Sequence, residues 1–199
     1  MKNNLVNNKP MKMLKKQILV ILFFVPLIFS CSEDDDNVID ELPAKTQTGE
    51  QTLGFSIDGE NFISSGTGNS GPRGFYQEVS NKNFLHIVSE FEKNNEWTSI
   101  SIYGADISAL EETDYKIGER VDTKIWGGIT INFGDTDAYF TTDEITGTLI
   151  ITKFDKENHI LSGEFEFDAV NEDGSQIKVK NGRFDLNYIA ETTTVSNNL

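Results

Sequence analysis

Gln176-Ile177-Lys178-Val179-Lys180-Asn181-Gly182-Arg183-Phe184-Asp185-Leu186-Asn187-Tyr188 is the stretch that decides the fold class. Apolar and polar residues alternate on both sides of Asn181-Gly182. That dipeptide suits the two positive-φ positions of a tight β-turn. The pattern predicts a hairpin between Gln176–Lys180 and Arg183–Tyr188, with Gly182 at positive φ. It sets Val179 opposite Phe184 and Ile177 opposite Leu186 on a core face, and Lys178 opposite Asp185 on a solvated one.

Working outward, the same period of two recurs along most of the chain. Just upstream, Phe165 and Phe167 alternate with Glu164, Glu166 and Asp168. The rings are expected to face the core and the acids to face water. Near residue 53, Leu53-Gly54-Phe55-Ser56-Ile57 and Glu60-Asn61-Phe62-Ile63 flank Asp58-Gly59, a second hairpin signal that pairs Phe55 with Phe62. Between these ends lie strand-like runs at Phe75–Val79, Phe84–Phe91, Trp97–Tyr103, Asp114–Ile117, Ile125–Phe133, Ala138–Thr142, Gly147–Phe154 and Ile160–Asp168. Turn residues such as Asn81-Lys82-Asn83, Lys93-Asn94-Asn95 and Gly134-Asp135 separate them. Asp106–Glu112 is the one helix-like run, with Ser108 and Glu111 spaced as a capping box. The expectation is an all-β chain: one antiparallel sandwich or barrel-like domain of roughly 10–12 short strands with at most one short helix.

The N-terminus reads differently. Lys12, Lys15 and Lys16 precede the 12-residue apolar run Ile18–Phe29, then Ser30 and Cys31. A basic start, a short apolar middle and a small residue before the cut describe a secretory signal. The run is shorter than the roughly 20 residues of a membrane-spanning helix. Met11 offers a second start with the same features. Ile28-Phe29-Ser30-Cys31 resembles a bacterial lipobox, which implies lipid on the Cys31 sulfur and removal of residues 1–30. Ser32, Glu33, Asp34, Asp35 and Asp36 resemble the acidic surface-export signal of Bacteroidota lipoproteins. Residues 31–50 are polar and acidic and are expected to form a flexible tether of about 25 Å. The β domain is expected over 51–190 and a disordered tail over 191–199.

Cys31 is the only cysteine, so the fold is expected to stand without a disulfide. Removing residues 1–30 takes away five lysines and no acid. That leaves 12 basic against 32 acidic residues, a net charge of −20 where the whole chain has −15. Such a charge disfavours nucleic acid and anionic lipid surfaces as partners. The run from Ile151 to Phe167, together with Asn181-Gly182-Arg183-Phe184-Asp185 and Tyr188, resembles the C-terminal half of uncharacterised Bacteroidota lipoproteins. These carry a β-rich domain of unknown function, and with Asp58-Gly59 and Phe62 the resemblance spans roughly residues 53–188. It implies a fold and a place on the outer membrane, but no activity and no catalytic residues.

A search for chemistry returns little. Neither His86 nor His159 stands in a zinc-like cluster. Gly66–Gly74 lacks the Lys-Ser/Thr of a phosphate loop and reads as a surface loop. Asp135, Asp137 and Asp143 surround a turn without calcium-loop spacing. No catalytic residue, metal or cofactor is expected. Trp97 and Trp126 are the candidate ligand-binding residues, because an exposed indole stacks on sugars or on partner proteins. Trp126 also precedes Gly127-Gly128, where missing side chains let something approach the backbone. The expected function is a monomeric, surface-anchored, non-catalytic binding or accessory module for a glycan or a surface protein. The rivals are a carboxylate-using hydrolase and a purely structural envelope protein. Lipidation has a direct test: Cys31→Ala moves the protein from the detergent-extracted membrane fraction to the soluble fraction, and a variant that stays with the membrane would exclude lipid at this sulfur.

Overall fold

The computed structural model describes residues 41–67, 71–93, 95–132 and 137–190. The expectations for residues 1–40, including Cys31 and Ser32–Asp36, and for the tail 191–199 lie outside the described residues. The strands are β1 (Thr52–Ile57), β2 (Glu60–Ser65), β3 (Arg73–Val79), β4 (Lys82–Lys93), β5 (Glu96–Ile107), β6 (Asp114–Ile117), β7 (Ile125–Ile131), β8 (Asp137–Phe140), β9 (Gly147–Asp155), β10 (Ile160–Val170) and β11 (Gln176–Ile189). The chain is all-β, and the strand runs expected from the alternation are present.

Hydrogen-bonded neighbours run β11-β3-β4-β5-β7-β6-β9-β10, and β10 returns to β11, so the circuit closes as in a barrel. The β1–β2 hairpin lies alongside β11, and β8 bridges β7 and β10. The sheet is mixed rather than wholly antiparallel. Parallel pairing is confined to Tyr188 and Ile189 with Gly74 and Phe75, and to Ile117 with Ile125. Both follow from end-to-end sharing of one strand edge. β1 covers β11 up to Asp185 and β3 takes the two residues near its end. Likewise β6 meets the start of β7 and β8 meets the rest.

Asp58-Gly59 forms the expected hairpin turn, with φ of 51° and 88°. Phe55 pairs with Phe62 across it, and the rings stack at 5.3 Å. Asn181-Gly182 does not form one, because β11 runs through it unbroken. Gly182 pairs with Phe165 and Val179 pairs with Phe167, so two residues of β11 face the single Glu166 of β10. Asn181, at φ 55°, is the extra residue of a β-bulge. The bulge explains why the pattern misled. A two-residue turn and a one-residue insertion both change the parity of inward positions. Ile177 and Val179 face inward before it, and Phe184, Leu186 and Tyr188 after it. Gly182 itself needs no positive φ. A Cβ there would lie 2.4 Å from the Phe165 ring and 2.5 Å from its carbonyl oxygen.

Lys178 therefore pairs with Asp168, not Asp185. Asp185 is buried, with 1% of its surface exposed. It accepts hydrogen bonds from the backbone N–H of Thr48, Gly49 and Glu50 and from the Ser162 hydroxyl at 2.7 Å. Burial pushes its carboxyl up, but hydrogen bonds from Thr46, Ser162, Thr48 and Gly49 outweigh burial and hold it below the ordinary carboxylate range. These bonds pin residues 46–50 to the barrel, where the sequence suggests a free tether. Lys45 pairs with Glu164 at 2.6 Å, and Arg183 donates to the Pro43 carbonyl. The ordered domain thus takes in residues 41–50. The expected helix at Asp106–Glu112 is absent. Asp106 and Ile107 continue β5, and tyrosine hydroxyls from Tyr76 and Tyr115 hold the Leu110 and Glu111 amides in an extended loop.

The interior is filled by side chains. Leu53, Phe55, Leu85, Ile87, Ile100, Ile102, Ile129, Leu149, Leu161, Phe167 and Leu186 are almost wholly buried. The bulge sets two expectations for denaturant unfolding. Gly182→Val costs about 1–3 kcal/mol through overlap with Phe165, and Asn181→Val costs a similar amount through its left-handed φ. Asn181→Gly stays within about 0.5 kcal/mol of the parent. A Gly182→Val midpoint equal to the parent's would contradict the close packing.

Candidate functional site

The core positions of β3, β4, β5 and β7 leave a second set of side chains on the outer face of the barrel. One rank of that face is aromatic. Phe75 pairs with His86, His86 with Tyr103, and Tyr103 with Trp126 across four successive strands. The rings follow that register. Phe75 and His86 stack at 6.0 Å, His86 and Tyr103 meet edge-on at 5.5 Å, and Tyr103 and Trp126 lie 5.4 Å apart. Phe140 on β8 extends the row at 5.9 Å from Trp126. All five side chains are half-buried rather than enclosed. Strand spacing makes the row from Phe75 to Trp126 about 14 Å long.

The two glycines after Trp126 now have reasons, and the groups that approach them are the chain's own. A Cβ on Gly128 would lie 2.8 Å from the Phe140 ring, so Phe140 lies on bare backbone. A Cβ on Gly127 would lie 3.0 Å from Phe167 inside the barrel. Thr141 locks this corner by accepting from the Gly127 N–H and donating to the Gly118 carbonyl. Arg120 covers the end of the row. Its guanidinium carbon stands 4.3 Å from the Phe140 ring centre and 5.0 Å from that of Trp126. At the opposite end a cavity of about 240 Å3 opens beside Phe75, Gln77, Phe84, His86 and Tyr103.

His86 sits mid-row. Its Nε2 and the Ser101 Oγ share a hydrogen bond of 3.0 Å. Burial, then the nearby positive charge of Arg73, pushes its pKa below the ordinary imidazole range. A neutral ring in the middle of the row keeps the rank uncharged near neutral pH.

Of the two candidate tryptophans, the structure brings only Trp126 into this row. Trp97 shares the outer face of β5 but pairs with Glu92, about 20 Å along the strand from Tyr103. His86 is a hydrogen-bonded strand residue, and His159 lies in the turn before β10 at φ 56°. Asp135 lies outside the described residues, and Asp143 is ion-paired to Lys124 at 2.9 Å. Among the described residues no group of three or more His, Cys, Asp or Glu is placed to hold a metal ion. Glu166 and Asp168 share Lys180, which fits their reading as a solvated face. Among the described residues no helix is long and apolar enough to cross a membrane.

Sequence reasoning missed Phe75, Tyr103, Phe140 and Arg120 as members of one site. Part of the signal was present. Lys93 pairs with Glu96 where β4 meets β5, and that register sets His86 opposite Tyr103.

Residues 78–185, just over half the chain, match the family model described as Domain of unknown function (DUF6252). The match takes in His86, Tyr103, Arg120, Trp126 and Phe140 and leaves β1, β2 and Phe75 outside it. No curated protein and no solved structure matches the chain.

The position of His86 gives a pH expectation. Its folded pKa lies below its unfolded value, so the unfolded chain binds the proton first as pH falls. Stability declines as pH drops below about 6.5, and His86→Phe flattens the curve just below that pH. Identical slopes for parent and variant in thermal melts would contradict a half-buried, neutral His86.

Proposed function

We propose that this chain, which belongs to the family of the domain of unknown function DUF6252, is a lipid-anchored surface protein whose barrel binds glycan on its outer face without turning it over. The observation that carries the reading is the rank Phe75–His86–Tyr103–Trp126–Phe140. A row of half-exposed rings on strands is a rigid platform, and the apolar faces of sugar rings stack on such rings at low entropic cost. It is built on strands of a filled barrel rather than on loops, so little ordering is needed on binding. The anchor reading rests on the lipobox-like Cys31 and the acidic run after it, which would present the platform to the cell exterior. The net charge of −15 favours a neutral or weakly charged ligand over a polyanion.

The non-catalytic reading rests on what surrounds the row. His86 and Ser101 form the nearest base–hydroxyl pair, and they sit in a strand ladder whose amides are committed to cross-strand bonds. That leaves no ready pair of backbone N–H groups to serve as an oxyanion hole.

The test is a glycan-array screen with the purified full chain, beside a hydrolysis assay on the same glycans. The expected outcome is binding that falls at least tenfold in Trp126→Ala, is little changed in Trp97→Ala, and yields no product. Binding that survives Trp126→Ala would remove the platform. Product release abolished by Ser101→Ala or by a carboxylate variant would replace it with the hydrolase reading.

A further inference from the structure

The aromatic row has unlike ends, and the difference is one arginine. At the Phe75 end the row runs into the small cavity beside Phe84 and Gln77. At the Phe140 end it runs under Arg120, an exposed side chain whose guanidinium sits in the corner between two rings set at 74° to each other. Among the described residues that guanidinium makes no ion pair and no hydrogen bond. Its neighbour Glu119 is engaged by Lys124, 3.1 Å away, and Lys124 also holds Asp143. Stacking uses the face of the guanidinium and leaves its N–H edge pointing away from the rings. In a chain with 32 acidic and 17 basic residues, a cation whose donors no local acid takes up is available to an outside anion.

We infer that Arg120 reads a single carboxylate at one end of a glycan laid along the row, so that the ligand is a short oligosaccharide ending in an acidic sugar. This inference rests on the platform reading and adds to it a polarity and a chemical class. A planar fork matches a carboxylate through two parallel N–H···O bonds, and the Arg120 guanidinium carbon already stands 4.3 Å and 5.0 Å from the two ring centres. One carboxylate is also what the surroundings permit. Glu119 adjoins Arg120 in sequence and shares the single Lys124 with Asp143, so a ligand with several anionic groups meets a net negative field. The rest of the row carries no positive charge at neutral pH, because His86 is held neutral by burial, so the sugars further along it are expected to be uncharged.

The experiment uses the full chain and two probes: a neutral tetrasaccharide, and the same chain with a terminal hexuronic acid. Affinities are measured by calorimetry at low salt and at 0.5 M NaCl. The expected result is at least tenfold tighter binding of the acid-ended probe, a preference that shrinks in high salt. Arg120→Met keeps an apolar stem over the rings and is expected to lose the preference, binding the two probes with similar affinity. Equal affinities in the parent, or a preference that survives Arg120→Met, would overturn the assignment while leaving the platform intact. Binding of neither probe would overturn the platform and this inference together. A melting curve of Arg120→Met matching the parent's shows that any loss is local to the ligand.

Discussion

β11 is the strand on which the barrel depends, and the bulge at Asn181 is the constraint that lets it serve. The strand pairs with β1 on one side and β10 on the other over most of its length, then closes the circuit with β3 near its end. Fourteen residues of perfect alternation on a curving sheet would carry one half of the strand's side chains to the wrong face. One extra residue resets the parity, so that Ile177 and Val179 as well as Phe184, Leu186 and Tyr188 all face the interior. The neighbours are cut to fit. Gly182 leaves room for the Phe165 ring, and Asn181 takes the left-handed φ with little strain. Asp185, a short way past the bulge, points at Ser162 and the amides of residues 48–50, so the same strand also secures the segment that leads into the domain.

A filled interior decides where function can lie. Phe55, Phe91, Phe165, Phe167 and Phe184 occupy the barrel in mutual contact, and the aliphatic residues of β4, β5 and β7 complete it. On the proposed reading, recognition falls to the outer face. There, cross-strand register converts residues scattered from 75 to 140 into one rank, with Gly128 stripped of a side chain so that Phe140 can lie beside Trp126. The pairs within the rank are the ordinary units of sheet stabilisation, so the rings are held in place before any ligand arrives.

The parts of the fold legible in the sequence are those set by local period and tight turns. Among the described residues, the strand positions outside Gln176–Ile189, the Asp58-Gly59 hairpin and the inward Phe165 and Phe167 follow from alternation and turn residues. Asn181-Gly182 did not resolve, because a hairpin and a bulge impose the same parity change and the same residue types. What separates them is the partner strand β10, a long-range fact. Asp185 was misplaced for the same reason, since its solvated role depended on that hairpin register. In the site, Trp126 was visible as a tryptophan beside two glycines. Tyr103 and His86 were reachable through the short link between β4 and β5, where Lys93 pairs with Glu96. Phe75 reaches His86 across the tight Ser80-Asn81 turn, whereas Phe140 and Arg120 join only through pairings and loops that no local rule fixes.

The claim that the outer row, and not a cavity elsewhere on the barrel, is the recognition surface has one direct measurement. It is a residue-by-residue chemical-shift titration of the isotope-labelled full chain with a soluble oligosaccharide. The account predicts saturable shifts at the Trp126 indole N–H and at the amides of Phe75, Tyr103 and Phe140, with the Trp97 indole and the β2 amides Asn61–Ser65 unmoved. Shifts that instead gather along β2 and Glu90–Lys93, around the cavity of about 480 Å3 there, would contradict it.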